Sequence, residues 1–482
     1  MIFLTDLFPH QKPAVDKLKN SNVGALFMEM GTGKTRTALQ LIQKRLETGE
    51  VTKVLWMCPC SVKENLRVDI ARHTGSDQEG LIRIEGLESI SGSGRLFLEL
   101  HEYADSKTFL VIDESNMCKN PRALRSKRLE KIAEKCIFKL ILNGTPMSKN
   151  EADIFEQFYL LDWRILGYRS YYSFAANHLV YREIKDEWGK KRRTDQVVNV
   201  LDKDYLAERI APFTYQVKKQ ECMDLPRKRH FTKTFSLTSS QYEHYDTVKY
   251  DLLADVDEFR SDTIYRLFTG LQLVTSGRRI TSLKLPMQSE NFFDVYEENP
   301  RVRALREQIL EIGDEKIIVF CRYQSEIEEV SQMLDDEGLS YAEFTGRLNQ
   351  KKRQESLSRF RGDSQILIAN KACGAYGLNL QFCRNIIFYD NDFDLATRLQ
   401  AEDRVHRIGQ DQEVRIYDIV AMSSIDQMVT ENLTNKESML KAFKAMVEKW
   451  KKEKAERDLD KEFKSGEELE GPHLKRKKKK LS

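Results

Sequence analysis

Met28-Glu29-Met30-Gly31-Thr32-Gly33-Lys34-Thr35 is the stretch on which the fold turns. A short apolar run, 24–27, precedes it, and a helical pattern with Ala38, Leu39, Leu41, Ile42 and Leu46 on its apolar face follows it. Strand, glycine-rich turn and helix in that order are the context of a phosphate-binding loop. Gly31, Thr32 and Gly33 let backbone N–H groups curl around a triphosphate, and the helix N-terminus adds positive dipole. Lys34 is expected to reach the β- and γ-phosphates, and the Thr35 hydroxyl to ligate Mg²⁺. The first glycine of the general pattern is Met28 here.

Upstream, Leu7-Phe8-Pro9-His10-Gln11 leads into a helix with Ala14, Val15 and Leu18 as its apolar face. An amide at Gln11 offers a donor and an acceptor, which suits an adenine edge and suits a helix cap equally. Downstream, Val54-Leu55-Trp56-Met57-Cys58 reads as a buried strand ending at Pro59-Cys60-Ser61, so the sheet is expected to be parallel. Phe109-Leu110-Val111-Ile112 then runs into Asp113-Glu114-Ser115-Asn116. Two carboxylates at the end of a buried strand are costly unless they have a role. Asp113 is expected to hold Mg²⁺, and Glu114 to orient and deprotonate the attacking water. Another strand, 140–142, leads to Asn143-Gly144-Thr145-Pro146, a stiff turn able to touch the acidic motif and a partner surface.

Residues 148–288 carry no phosphate or acid motif and read as helical excursions, among them Ile154–Leu161, Tyr168–His178 and Gln241–Phe259. A basic cluster, 190–193, falls there in what reads as a polar loop. The strand rhythm resumes at 316–321, 366–368, 386–389 and 414–420, without a second phosphate loop. Instead come Gly377-Leu378-Asn379-Leu380 and the run from Gln400 to Gln410. On a helix, Gln400, Arg404 and Arg407 are spaced i, i+4 and i+7 and share one face. Two guanidiniums on one face repel unless anions lie opposite. A γ-phosphate held by the first half meets that need, making Arg404 and Arg407 arginine fingers.

In this order the motifs resemble the superfamily-two helicase core, and within it the Swi/Snf-type ATPases. The matching runs are 7–11, 31–35, 58–62, 113–116 with 118–120, 142–146, 318–321, 377–380 and 400–410, and the Arg-Ile-Gly-Gln ending of the last is particular to that family. The resemblance implies an α/β fold of two tandem RecA-like lobes, 1–222 and 223–445, each a parallel sheet flanked by helices, with helical protrusions. A basic, disordered tail is expected over 446–482. It also implies ATP in the cleft, DNA-stimulated hydrolysis and movement along nucleic acid, with duplex, forked or branched DNA as partner and a monomer as the acting form. By the same resemblance, Pro59, Ser61, Gly144, Thr145, Gly377 and Asn379 are expected to lie near DNA or to link it to the nucleotide. Two departures stand out: the acidic box usually ends in histidine, here Asn116, and Asp392-Phe393-Asp394 replaces the common tryptophan-proline before the arginine segment. The compact size resembles phage and bacterial members more than chromatin remodellers. The rivals are an RNA helicase of the same superfamily and a nucleotide-gated DNA-binding scaffold with little turnover. The scaffold needs neither Glu114 nor the arginines.

Composition agrees with that frame. The 482 residues suffice for two or three domains, and 40% apolar with 32% charged residues describes a soluble globular protein. A formal charge of +3 argues neither for nor against nucleic acid. Eight scattered cysteines show no recurring zinc spacing, so a reducing compartment and no structural metal are expected. No apolar run approaches the ~20 residues of a membrane span and the N-terminus lacks the start of a secretory signal, so an intracellular, DNA-associated protein is expected. From Lys449 the chain is charge-dense and ends in Lys475-Arg476-Lys477-Lys478-Lys479-Lys480. That composition suits a phosphate-binding arm, and also a nuclear signal.

Overall fold

The computed structural model describes residues 1–144, 151–185, 191–222, 224–254, 256, 261–284, 286–370, 378–391, 395–407, 409–435 and 445–456. They form two units. The first contains Met1–Pro226 with the described residues of 374–382 and 399–412; the second contains those of 227–373, 383–398 and 413 onward.

In the first unit, β1 (Val23–Met28), β2 (Lys53–Cys58), β3 (Ile82–Gly86), β4 (Thr108–Asp113) and β5 (Phe138–Asn143) are followed by a hairpin, β6 (Leu179–Lys185) and β7 (Lys191–Val200), and by β8 (Thr214–Val217). The sheet order is β3-β2-β4-β5-β1-β8, and every pairing is parallel. Ala25, Phe27, Leu55, Met57, Leu110 and Ile112 enter one core, while Leu26, Met28, Val54, Trp56 and Val111 enter another. Covering both faces removes the apolar–polar alternation, which is why these strands read as continuous apolar runs. Parallel strands share one carboxyl edge, where α/β sheets present their ligands. The pairs Phe27↔Asn143, Asp113↔Leu142 and Ile112↔Met57 bring the ends of β1, β2, β4 and β5 to that edge.

The motif-poor stretch differs from the helical reading. Helices Ile154–Leu161, Tyr171–His178, Ser239–Ala254 and Ser261–Thr275 are present, but β6 and β7 pair antiparallel between them. Residues 191–193 of the basic cluster therefore lie on a strand, not in a loop. The same stretch also holds the edge strand of each sheet, β8 and β9 (Lys228–Phe235).

In the second unit, β9 is followed by an antiparallel pair, β10 (Arg278–Ser282) and β11 (Gln288–Asn291). Then come β12 (Ile317–Cys321), β13 (Tyr341–Phe344), β14 (Ile366–Asn370), β15 (Asn385–Phe388) and β16 (Val414–Ala421). The order is β13-β14-β12-β15-β16-β9, again all parallel. β9 is largely exposed and carries Lys228, Arg229 and Lys233, a charged edge that resists pairing with another chain.

Arg301 is fully buried in this unit. It donates to the Thr275 carbonyl (3.1 Å) and hydroxyl (2.9 Å), to the Tyr389 carbonyl and to Asp426. Residues 445–456 are helical, whereas a charged tail was expected from 446. Val447 and Trp450 are one turn apart and pack against the cluster of Tyr245, Val248, Leu252 and Phe268. The Lys451 and Lys454 ammoniums donate to the Val256 (3.1 Å) and Tyr250 (2.9 Å) carbonyls. Among the described residues no helix is long and apolar enough to cross a membrane.

Candidate nucleotide site

The site lies within the first unit. β1 ends at Met28, and the loop leads into the helix Lys34–Glu47. Gly31 (φ 80°) and Gly33 (φ 85°) are left-handed, a conformation a side chain would strain. Thr32 braces the curl by donating its hydroxyl to the Glu29 carbonyl (2.7 Å). The Lys34 ammonium donates to the Met28 carbonyl (2.8 Å). Thr35 sits half-buried in the first helical turn. Gln11 is fully buried: its Oε1 accepts the Phe8 N–H (2.9 Å), and its Nε2 donates to the Thr32 (3.2 Å) and Gly33 (3.0 Å) carbonyls. The entry turn is thereby a brace for the phosphate loop.

Asp113 closes β4 half-buried, its Oδ1 accepting the Glu114 N–H (2.9 Å). Glu114 is left-handed (φ 48°), a strained position for a non-glycine residue and of a kind that clusters at active sites. Burial, and then the neighbouring Glu114 carboxylate, push the Asp113 carboxyl up from its ordinary range. Burial likewise pushes the Lys34 ammonium down, with Glu114 and Asp113 pulling the other way. A carboxylate so disfavoured as a bare anion suits a cation such as Mg²⁺, which takes few protein ligands and completes its shell with water and substrate phosphates.

The arginine segment corrects the sequence reading. The helix is Leu395–Glu402; Gln400 lies on it half-buried, but Arg404 and Arg407 follow it in turns. Hydrogen bonding shortens there, with Arg404 N–H donating to Ala401 O (3.2 Å) and Val405 N–H to Glu402 O (3.1 Å). Outside contacts complete the change: Leu380 N–H donates to Arg404 O (3.0 Å), and the Lys219 ammonium to Asp403 (2.6 Å) and the His406 carbonyl (2.8 Å). Arg404 is 8% exposed, with its guanidinium 3.7 Å from the Met30 sulfur. Burial, then Arg407, lower its pKa to about 10 against the opposing pull of Glu114. Arg407 donates to the Asn379 side chain and to the Leu378 carbonyl (3.4 Å). It also covers the loop, since a Cβ on Gly31 would lie 3.0 Å from its own Cβ.

The structure thus gathers Lys34, Asp113, Glu114 and Arg404, with Arg407 over Gly31. Gly144, whose N–H donates to Asn143 Oδ1 (2.8 Å), lies beside Met30. Pro59 is buried after β2, and Ser61 lies in the short turn Cys60–Val62 at the same sheet edge. Thr145 and Gly377 lie outside the described residues. Sequence reasoning passed over Lys219, Glu29 and Asp403. Nothing local marks Lys219, which comes beside the loop only through the pairing Met28↔Val217.

A parallel sheet with a glycine-rich loop, a terminal acid pair and two arginines at one edge defines the class: a P-loop α/β nucleotide-binding fold. An SNF2-related domain matches residues 80–287, and the helicase conserved C-terminal domain matches residues 300–409. The chain belongs to the Swi/Snf-type ATPases of helicase superfamily two. An uncharacterized ATP-dependent helicase of Mycoplasma genitalium is 26% identical over 471 residues, covering 92% of this chain and 43% of that protein. The mouse chromodomain-helicase-DNA-binding protein 1-like is 23% identical over 442 residues, covering 85% of this chain and 46% of its own. The chain thus spans less than half the length of these two relatives. The Bacillus subtilis uncharacterized ATP-dependent helicase YqhH is 22% identical over 459 residues, covering 89% of this chain and 78% of that protein.

Proposed function

We propose that the chain is a DNA-dependent ATPase that moves along DNA and thereby remodels forked or branched DNA or displaces bound protein. The observation that carries the reading is a pair of neighbouring guanidiniums at the phosphate loop, Arg404 buried within reach of the Glu114 charge and Arg407 half-buried over Gly31. Packing like charges in a low-dielectric site is unfavourable alone and becomes favourable when a triphosphate lies against them. In this reading the loop N–H groups and Lys34 hold the β- and γ-phosphates, and Gln11 lies at the adenine end. Thr35 and Asp113 would hold Mg²⁺, which when bound neutralises charge on the phosphate oxygens. Glu114 aligns the attacking water and takes its proton; Arg404 and Arg407 stabilise charge developing on the transferred group, with Gln400 beside them.

Pro59, Ser61, Gly144, Thr145, Gly377 and Asn379 face DNA or transmit its presence to the nucleotide. The Arg407–Asn379 bond supports the transmitting role, because it ties a finger to that segment. Helicase names among the relatives favour nucleic acid as the track. A grip on phosphates makes binding sequence-independent and strongly salt-dependent, and the basic end of the chain, 475–480, adds a tether.

Steady-state ATP hydrolysis with duplex DNA, single-stranded DNA and RNA tests the reading. Duplex DNA should stimulate most, and Lys34→Ala should abolish turnover. Stimulation by RNA alone would instead indicate an RNA helicase. Negligible turnover at saturating DNA would indicate a nucleotide-gated scaffold, and near-normal hydrolysis by Lys34→Ala would refute the phosphate-loop assignment.

A further inference from the structure

Lys219 opens the short helix Lys219–Cys222 just past β8 and is only 6% exposed. Its backbone N–H donates to Glu29 Oε2 (2.8 Å), and the Glu29 N–H donates to the Val217 carbonyl (3.2 Å). Its side chain runs along the phosphate loop: a Cβ on Gly31 would lie 3.7 Å from Lys219 Cε. The ammonium then donates to Asp403 Oδ1 (2.6 Å) and to the His406 carbonyl (2.8 Å). Asp403 and His406 are the residues immediately before Arg404 and Arg407. One side chain therefore grips the Asp403 carboxylate ahead of Arg404 and the His406 carbonyl ahead of Arg407, while its own backbone is fastened to the loop.

That placement is costly for a lysine. Lys34, Arg404 and Arg407 crowd positive charge into the same half-buried region, and a fourth cation belongs there only if it is paired. Asp403 supplies the pairing, and the ammonium-to-carboxylate bond is of the stronger, charge-assisted kind. The turn 403–407 keeps only part of the helical bonding: the Asp403 and His406 N–H groups still bond four residues back, to Leu399 O and Glu402 O, whereas those of Arg404 and Val405 bond three back, so outside fastenings add to what holds its shape.

We propose that Lys219 is a positioning residue that seats the arginine turn over the phosphate loop, so that Arg404 and Arg407 are ordered before hydrolysis begins. This rests on the ATPase reading above. Lys219 acts through the turn, by preorganising donors that would otherwise have to be ordered at the moment of reaction.

The test is ATP turnover by the full chain at saturating duplex DNA. Lys219→Ala should lower kcat on the order of 10²-fold, the size of effect that a misplacement of about 1 Å produces. KM for ATP should be unchanged, because the phosphate loop is intact. Lys219→Arg, which keeps charge and reach, should recover part of the loss. Lys219→Ala combined with Arg404→Ala should be no slower than Arg404→Ala alone. Undiminished kcat in Lys219→Ala, or a double variant slower by the full product of the two losses, overturns the proposal. Should Lys219→Ala fail to fold, Asp403→Asn carries the same test from the other end of the bond, with undiminished kcat again overturning it. A wild-type chain that hydrolyses no ATP removes the functional reading itself. An active wild type with an undiminished Lys219→Ala defeats this inference alone.

Discussion

Glu156 shows how much a single residue can conceal. It lies on the helix Ile154–Leu161, is 1% exposed, and faces Glu130 of the helix Leu124–Ala133. Burial, and then the Glu130 charge, push its carboxyl well above the ordinary carboxylate range. The folded chain therefore keeps a proton that the unfolded chain releases. The associated stability is complete below the ordinary carboxylate pKa and is lost as pH rises through neutrality. Denaturant melts from about pH 5 to about pH 8 should show falling stability in the wild type. Glu156→Gln should flatten that slope and be the more stable protein at the alkaline end; an unchanged slope would contradict the assignment. Nothing in the sequence announces this pair, because each glutamate sits in an ordinary helical pattern and only packing sets them face to face. Lys34, Asp113 and Glu114 were legible for the opposite reason. Their positions follow from the apolar runs of β1 and β4, which declare the strand that leads into the loop before Lys34 and the strand end at Asp113.

At the scale of elements, legibility followed burial. Central strands covered on both faces announce themselves as apolar runs, whereas β8 and β9 at the sheet edges and β13 carry half-exposed or charged side chains and do not. The arginine segment failed differently. Both arginines were singled out on a helical spacing, but the helix ends at Glu402, and Lys219 and Leu380 bond to the segment beyond it. Arg301 joins elements in the second unit: the helices Ser261–Thr275 and Pro300–Ile312, the end of β15 and the helix Ile425–Asn435. Removing one member of a buried ion pair strands the other, at a cost of about 3–5 kcal/mol. Arg301→Met should therefore lower the unfolding free energy by that much, seen as a lower denaturant midpoint, and adding Asp426→Leu should restore part of it. A midpoint unchanged by Arg301→Met would show that the pair does not hold these elements.

At the scale of the whole molecule, the chain is a Swi/Snf-type core whose first unit brings Lys34, Asp113 and Glu114 together with the arginine turn. The order of motifs along the chain was enough to name the family and the α/β architecture. The linkage of the arginine turn to the loop was not legible, because it depends on a lysine nearly two hundred residues away in sequence. The most direct measurement is steady-state ATP turnover at saturating duplex DNA, comparing the wild type with Arg404→Ala and Arg407→Ala, with nucleotide binding measured alongside. The account predicts a loss of about 10³-fold or more in turnover with ATP still bound. Turnover near the wild-type rate in both variants would contradict it.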